Sequence, residues 1–400
     1  MSNLCPIKDK KILISGQVLN SLTEMVEDDL KERVAVLGVI GISSAYSPPD
    51  SARMTFYRDG IPEYTHRLFN IHFRRRNKFT QYLLTFVFLT YIVAILKAAF
   101  RFKTKFDLFI GISCFSTFLG VLLKWLGIVR KVVYYSIDYY PLKQRRDFEY
   151  LMTRAFFILD RFCVRHSDLV WHINPAIAEG RLIFGKVYPD SYDSVHVPIG
   201  YGKELLCPKP FSEIDRYKIG FVGTLSPNQG LQMAIPAFSK IAQKFSQAQL
   251  DIIGDGVFRM EIERLIKESP VKNRIKLHGF VGNRKEVSEI LSSCALGIAP
   301  WTMDEDNNVK YADPGKPKHY AFSGLPSVIT RSNTVAIEID DMKAGIAINY
   351  DEVEFVLAVE KLLADDDLLK EYRENAIKFA RRYITEHIFN RAWDETARLL

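Results

Sequence analysis

The feature that most constrains this chain is an alternation. Short apolar runs of strand length are separated by longer stretches with helical spacing, and the pattern stops once and then starts again. In the first part "KKILIS", "VAVLGVIGI", "FDLFIGIS" and "KVVYYSID" are strand runs rich in branched and aromatic residues, with "SLTEMVEDDLKER" and "STFLGVLLKWLG" as helices among them. A further helix is expected from about Phe148 to Arg165, ahead of "SDLVWHIN" and "SVHVPIG". Strand, helix and strand in succession imply parallel pairing, because the helix carries the chain back to start the next strand at the same end of the sheet. "YGKELLCPKPFSEIDRY" is polar, aperiodic and Pro-containing, and reads as a linker. The strands "YKIGFVGTL", "AQLDIIGDG", "RIKLHGF", "ALGIAPW", "LPSVIT" and "AGIAINY" then alternate with helices, and the chain closes on an amphipathic helical stretch. Two consecutive doubly wound halves result.

Composition agrees with two domains, since 400 residues at 48% hydrophobic content exceed what one core accommodates. Five scattered cysteines form no C-x-x-C pair, and eight histidines show no H-E-x-x-H spacing. A disulfide framework and a metal centre therefore have no support in the sequence, and a reducing, cytoplasmic setting is expected. The formal charge of +7 is unevenly spread: between His66 and Lys105 lie nine Lys or Arg and no acid. Within that segment Tyr82 to Leu96 is uncharged, too short for a spanning helix and readable as either a core helix or an interfacial helix on an anionic membrane. No nucleic-acid signature accompanies the charge.

Ligands of doubly wound sheets sit beyond the carboxyl ends of the strands. The loops after "GFVG", "DIIG", "KLHG" and "GIAP" are therefore the candidates. Gly223, Thr224 and Gln229 lie in one of them and Gly254 and Gly256 in the next. Neither loop matches the P-loop or dinucleotide fingerprint, so each reads either as a plain strand-to-helix turn or as a close approach for a ligand. In "YADPGKPKHYAFSGLPSVIT", Asp313 is a candidate N-cap and Pro314 a first helical residue. Gly315 permits close approach, and Lys316 falls in the first turn. The helix start reads either as an ordinary capped helix or as a phosphate seat. Asp138, at the end of "KVVYYSID", is either a turn cap or a group that orients or deprotonates an acceptor hydroxyl. Gly16 and Asn174 are acceptor-side candidates, with His172 a lesser one.

From Lys218 to about Asn349 the succession "IGFVGTLSPNQGL", "LDIIGDG", "IKLHGFV", "LGIAPW" and "DPGKPKHYAFSGLPSVIT" resembles the nucleotide-sugar-binding domain of GT-B glycosyltransferases, specifically family 4. The first half is similar, more loosely, to their acceptor domain. The resemblance implies two Rossmann-like domains facing a cleft: 1–205 on the acceptor side, 206–375 binding the nucleotide sugar, and 376–400 as a helix packing back on the first domain. It implies retaining sugar transfer from a UDP- or GDP-linked donor without a metal or other cofactor. The family pattern places Glu at Tyr311 and at His319, Arg at Thr224 and Lys at Gln229; all four are replaced here. The resemblance thus points to a divergent subfamily in which the Gly315 and Lys316 amides bind phosphate and Lys316 or Lys318 offsets the leaving-group charge. Phe280 lies where the base is met, and Tyr320 is counted with the donor-binding group. Asp138, Lys316 and His319 are the expected catalytic residues. A lipid-linked or envelope polysaccharide acceptor is expected, with a peripheral seat on the inner membrane face through residues 66–105. A nucleotide-sugar epimerase and a catalytically silent binding subunit are the alternatives.

Overall fold

The computed structural model describes residues 6–17, 21–42, 52–68, 92–93, 95–97, 99–142, 148–303 and 308–400. The basic segment 66–105 lies largely outside them. Among the described residues no helix is long and apolar enough to cross a membrane. The chain divides into two compact units, Met1–Val197 with Phe389–Leu400, and Pro198–Ile388.

The first unit is built from β1 (Lys11–Gln17), α1 (Ser21–Arg33), β2 (Val36–Ile42), β3 (Arg53–Arg58), β4 (Ile61–Arg67), β5 (Phe106–Ile112), α2 (Cys114–Trp125), β6 (Val129–Ser136), α3 (Phe148–His166), β7 (Leu169–His172), the short α4 (Ala176–Gly180) and β8 (Ser194–His196). Its sheet runs β4-β3-β2-β1-β5-β6-β7-β8. The apolar runs become strands because both faces are covered: every residue of β2 is buried, and in β5 only Asp107 is partly exposed. All pairs from β2 to β8 are parallel, as the alternation requires.

The antiparallel hairpin β3–β4 adds an edge that the strand runs do not announce. Its signal is the dipeptide Asp59-Gly60, whose φ values of 47° and 78° make the tight turn that suits the strand twist. Exposed β4 forms the edge, and its polar residues explain why no apolar run marks it.

α4 continues into a π-helical turn, Arg181–Gly185, that ends on left-handed Lys186. This turn delivers Arg181 into the core. Its guanidinium donates to Asp160 from Nε at 2.8 Å and from Nη2 at 2.7 Å. Nη2 also donates to Ser136 Oγ at 2.9 Å, and Nη1 lies 2.7 Å from His172 Nε2. Burial first, and then the Arg181 charge, hold His172 well below its ordinary pKa, so the imidazole is neutral and accepts that bond. His172 is thus a core residue, part of the cluster through which Arg181 joins β6, β7, α3 and the π-turn.

The second unit holds β9 (Lys218–Val222), α5 (Leu231–Lys244), β10 (Gln249–Ile253), α6 (Arg259–Glu268), β11 (Ile275–Gly279), α7 (Arg284–Ser292), β12 (Leu296–Ala299), α8 (Gly315–Phe322), β13 (Ser327–Thr330), α9 (Thr334–Asp341), β14 (Gly345–Ile348), α10 (Glu352–Ala364) and α11 (Asp366–Arg382). Its all-parallel sheet, β11-β10-β9-β12-β13-β14, changes winding direction between β9 and β12. A crevice opens at the carboxyl end of such a switch point.

The division falls at Val197 and Pro198, ahead of the expected boundary at 205. Residues 199–201 are held by the second unit: the Ile199 amide donates to Asp313, and Tyr201 exchanges backbone bonds with Tyr383 and Thr385. At the other end α12 (Thr385–Ala397) changes unit within its length, so that 376–388 stays with the second unit and only Phe389–Leu400 joins the first. There Trp393 is fully buried against Trp171, ring centroids 4.8 Å apart, and donates to Asp29 at 2.7 Å.

Candidate active site

The site forms where the β9 and β12 ends part. Gly223 leaves β9 at φ 152°, and Gly254 leaves β10 at φ 147°. A Cβ on Gly254 would lie 1.8 Å from the Gly223 carbonyl oxygen, and one on Gly256 2.3 Å from that of Leu225. The two loops are therefore clasped together, and the Leu225 amide bonds the Asp255 carbonyl at 3.0 Å. These glycines serve loop-to-loop packing first, and the backbone they hold faces the crevice end of the sheet. Thr224 is exposed and Gln229 half-buried on the same turn.

α8 enters this corner with its amino end, as the Asp-Pro-Gly-Lys run suggested, but with a different cap. Pro314 occupies the cap position and makes no side-chain bond. Asp313 is turned away from the first-turn amides and accepts from Lys318 Nζ at 2.6 Å on both oxygens. Lys318 is fully buried, donates also to the Ile199 carbonyl at 2.9 Å, and lies 4.1 Å from the Tyr383 ring centroid. All its donor capacity is used inside the protein. The expected phosphate role of Lys318, and of Asp313 as cap, is therefore replaced by a buried ion pair.

Lys316 has the opposite surroundings. Its Nζ donates to Gln229 Oε1 at 2.7 Å, lies 3.9 Å from the Phe221 ring centroid and 5.3 Å from that of Trp301, and sits beside Gly223. The Trp301 indole donates to the same Gln229 oxygen at 3.2 Å. Among the described residues no carboxylate faces this ammonium, and burial pushes its pKa well below the ordinary lysine value. Trp301 and Phe221 are site residues that the sequence reading passed over. The available signal was a Trp just past the end of a buried strand, in "GIAPW".

The remaining candidates separate. Tyr320 is fully buried, donates to the Ile298 carbonyl at 2.7 Å and accepts from the Val222 amide at 3.1 Å. It ties β9 to β12 and belongs to the core, not to a ligand surface. Gly315 faces Tyr201, whose hydroxyl would be 2.7 Å from an added Cβ and donates to the Gly315 carbonyl. Tyr311 is buried, with Lys310 Nζ 5.6 Å from its ring centroid, and Phe280 is 78% exposed on the loop after β11.

In the first unit Gly16 admits no ligand on its missing side chain, because Thr23 Oγ1 lies 2.4 Å from where a Cβ would be. Asn174 is buried and caps the Ala176 amide at 2.9 Å. Asp138 lies just past β6 and is an exposed residue. Neighbouring protein atoms nonetheless desolvate the group and raise its pKa, opposed by a hydrogen bond with Tyr140.

His319 Nε2 lies 3.0 Å from Ser288 Oγ, and its ring is 5.8 Å from that of Tyr201. Burial first, then the Arg284 charge at the start of α7, pull its pKa down to about 4. Because the folded value lies below the unfolded one, the stabilisation is complete above the unfolded pKa and is lost as pH falls through the interval down to about 4. The melting temperature of wild type is expected to drop across this interval more steeply than that of His319→Gln; parallel curves would exclude the effect.

Residues 216–365 match the family described as Glycosyl transferases group 1. Alpha-D-kanosaminyltransferase of Streptomyces kanamyceticus is 26% identical over 163 residues, 40% of each chain. Poly(glycerol-phosphate) alpha-glucosyltransferase of Bacillus subtilis (strain 168) is 24% identical over 174 residues, 42% of this chain and 24% of that one. The chain thus aligns with less than half the length of either curated relative. Among solved structures, Anabaena HepE in complex with UDP superposes with TM-score 0.67 at 15% identity, covering 98% of this chain and 100% of that one. Sucrose-phosphate synthase of Thermosynechococcus elongatus gives TM-score 0.72 at 14% identity, covering 98% and 99%. Residues 216–365 therefore match the Glycosyl transferases group 1 model, within a chain that has the GT-B fold.

Proposed function

We propose that the protein is a glycosyltransferase that moves a sugar from a nucleoside-diphosphate donor to an acceptor, with the diphosphate seated at the amino end of α8. The observation that carries this reading is Lys316, a cation in a cage of Gln229, Phe221 and Trp301 with no carboxylate opposite it among the described residues. An entering diphosphate supplies the missing countercharge and favours the protonated ammonium. The first-turn amides of α8 add the positive end of the helix. As the anomeric C–O bond breaks, negative charge collects on the departing diphosphate, so these groups interact more strongly with the transition state than with the donor. Thr224 and Gln229 stand where family members carry cations, and Lys316, bonded to Gln229, brings a positive charge to the same corner from another element.

Lys316→Ala is expected to lower turnover by at least about tenfold while leaving the fold intact, given that removing one such donor costs about 3 kcal/mol of barrier. Turnover near the wild-type value would remove the role. A UDP-sugar is the first donor to assay, because HepE has been solved with UDP and with UDP-glucose. Retention is part of the reading. Both curated relatives are named for alpha transfer, which retention yields from an alpha-configured donor. The proposed acceptor is lipid-linked or an envelope polysaccharide, with Asp138 as the group that orients or deprotonates its hydroxyl. The basic segment 66–105 is the proposed membrane contact on the cytoplasmic face.

A second reading draws on Tyr311 and His319, which offer no carboxylate where the family has two: a silent subunit that binds the sugar nucleotide. Saturable UDP binding without donor hydrolysis or transfer would favour it.

A further inference from the structure

The first unit carries a surface that the transfer reaction does not use. On α3, Leu151, Arg154, Ala155, Ile158, Phe162 and Arg165 follow one another at helical spacing and form a single stripe. Its inner side is accounted for by buried Phe157, Cys163 and Val164. The outer side is not: Leu151 is 64% exposed and Ile158 70%. On one flank, Phe162 meets the edge of Trp125 at 5.8 Å, itself 61% exposed, with Leu126 beside it. On the other flank Phe157 stacks on Phe184 and Arg161 donates to the Gly185 carbonyl. That flank sets the exposed Leu182 and Ile183 of the π-turn next to α3. Exposed apolar side chains thus lie on three neighbouring elements, as they do at surfaces that bind a partner.

Its charge is mainly positive, with exposed Glu179, one turn before Ile183, as an acid at its border. Arg154 and Arg165 are exposed within the stripe, Arg161 borders it, and Lys186 closes the π-turn. The acidic residue in the centre of α3, Asp160, is buried and held by Arg181. We infer that this face docks on the surface of an anionic lipid bilayer, with Leu151, Ile158, Leu182 and Ile183 entering the headgroup boundary and the arginine row meeting lipid phosphates. Trp125 at the margin, with an apolar ring and a polar N–H, suits the same interface. A second copy of the chain fits less well, because a two-fold pairing of this face would bring two arginine rows together.

The test is flotation of the full chain with phosphatidylcholine vesicles, with and without phosphatidylglycerol. Binding to the anionic vesicles only, weakened by salt, is expected. Ile158→Glu with Leu151→Glu should lower the bound fraction by about tenfold or more, and Arg154→Ala with Arg165→Ala should do so by about tenfold. The arginine pair keeps the test open should the glutamates disturb folding. Wild-type flotation unchanged in both variants would overturn the assignment and transfer membrane contact to another segment. A concentration-dependent dimer abolished by Ile158→Glu, without flotation, would overturn it in favour of a subunit interface. The inference stands apart from the transferase reading, since binding of UDP and hydrolysis of a soluble donor should be the same in wild type and in both variants.

Discussion

Asp313→Asn is expected to destabilise the second unit by about 3 to 5 kcal/mol, the range for stranding one member of a buried ion pair. Lys318 has 0% exposure and relies on the two Asp313 oxygens at 2.6 Å for its countercharge. Burial already pulls its pKa below the ordinary value, and Asp313 opposes that pull. The neutral amide still accepts from the Ile199 amide but leaves the ammonium with only the weaker pull of the Glu338 charge. Adding Lys318→Met should recover much of the loss, because an apolar side chain of similar length tolerates the site once the charge has gone. Hydrogen exchange over peptides 198–201 and 313–322 of the full chain reads both changes locally. A cost below about 1 kcal/mol for Asp313→Asn would show that solvent reaches Lys318 and that the pair is not a core element.

Gly254→Ala is expected to cost about 3 kcal/mol and to abolish binding of UDP before it unfolds the chain. Two effects combine at this position. A φ of 147° is strained for any residue with a side chain, and the added Cβ would lie 1.8 Å from the Gly223 carbonyl. That carbonyl is backbone, so relief requires the whole 223–230 turn to move, carrying Gln229 away from Lys316. Titration with UDP, followed calorimetrically beside a thermal melt, separates the two effects. Tight UDP binding by a folded Gly254→Ala protein would mean that the clasp between the loops does not shape the site.

Much of the architecture was legible because helix and strand periodicities are local properties. The match of α1 to "SLTEMVEDDLKER" and the parallel pairing of most strands in both sheets follow from which residues are apolar and how they are spaced. Hairpin β3–β4 escaped because the edge strand β4 needs few apolar residues, and the Asp59-Gly60 turn and the short run Met54 to Tyr57 were its local marks. The place where the second unit begins escaped for another reason. Composition marks a flexible stretch, whereas allegiance depends on partners far along the chain, here Asp313 and Tyr383 for Ile199 and Tyr201. The loops of the site were legible as glycine-rich strand ends. Trp301 and Phe221 were not, since an aromatic residue at the end of a strand reads as core until its neighbours are known.

Lys316 and Lys318 mark the limit most clearly. In the sequence they are equivalent, two lysines in the first turns of one short helix after Asp-Pro-Gly. Two residues along a helix is a rotation of about 200°, so the two side chains leave opposite faces. One face meets Asp313, Ile199 and Tyr383 and consumes its lysine in packing. The other meets Gly223, Gln229 and Trp301, where no acid waits among the described residues. Periodicity and capping residues were enough to place a helix start at the carboxyl ends of the strands. Which of its charges is left for a ligand depended on contacts such as Lys316 with Gln229 and Lys318 with Ile199, 87 and 119 positions apart, which no local pattern encodes.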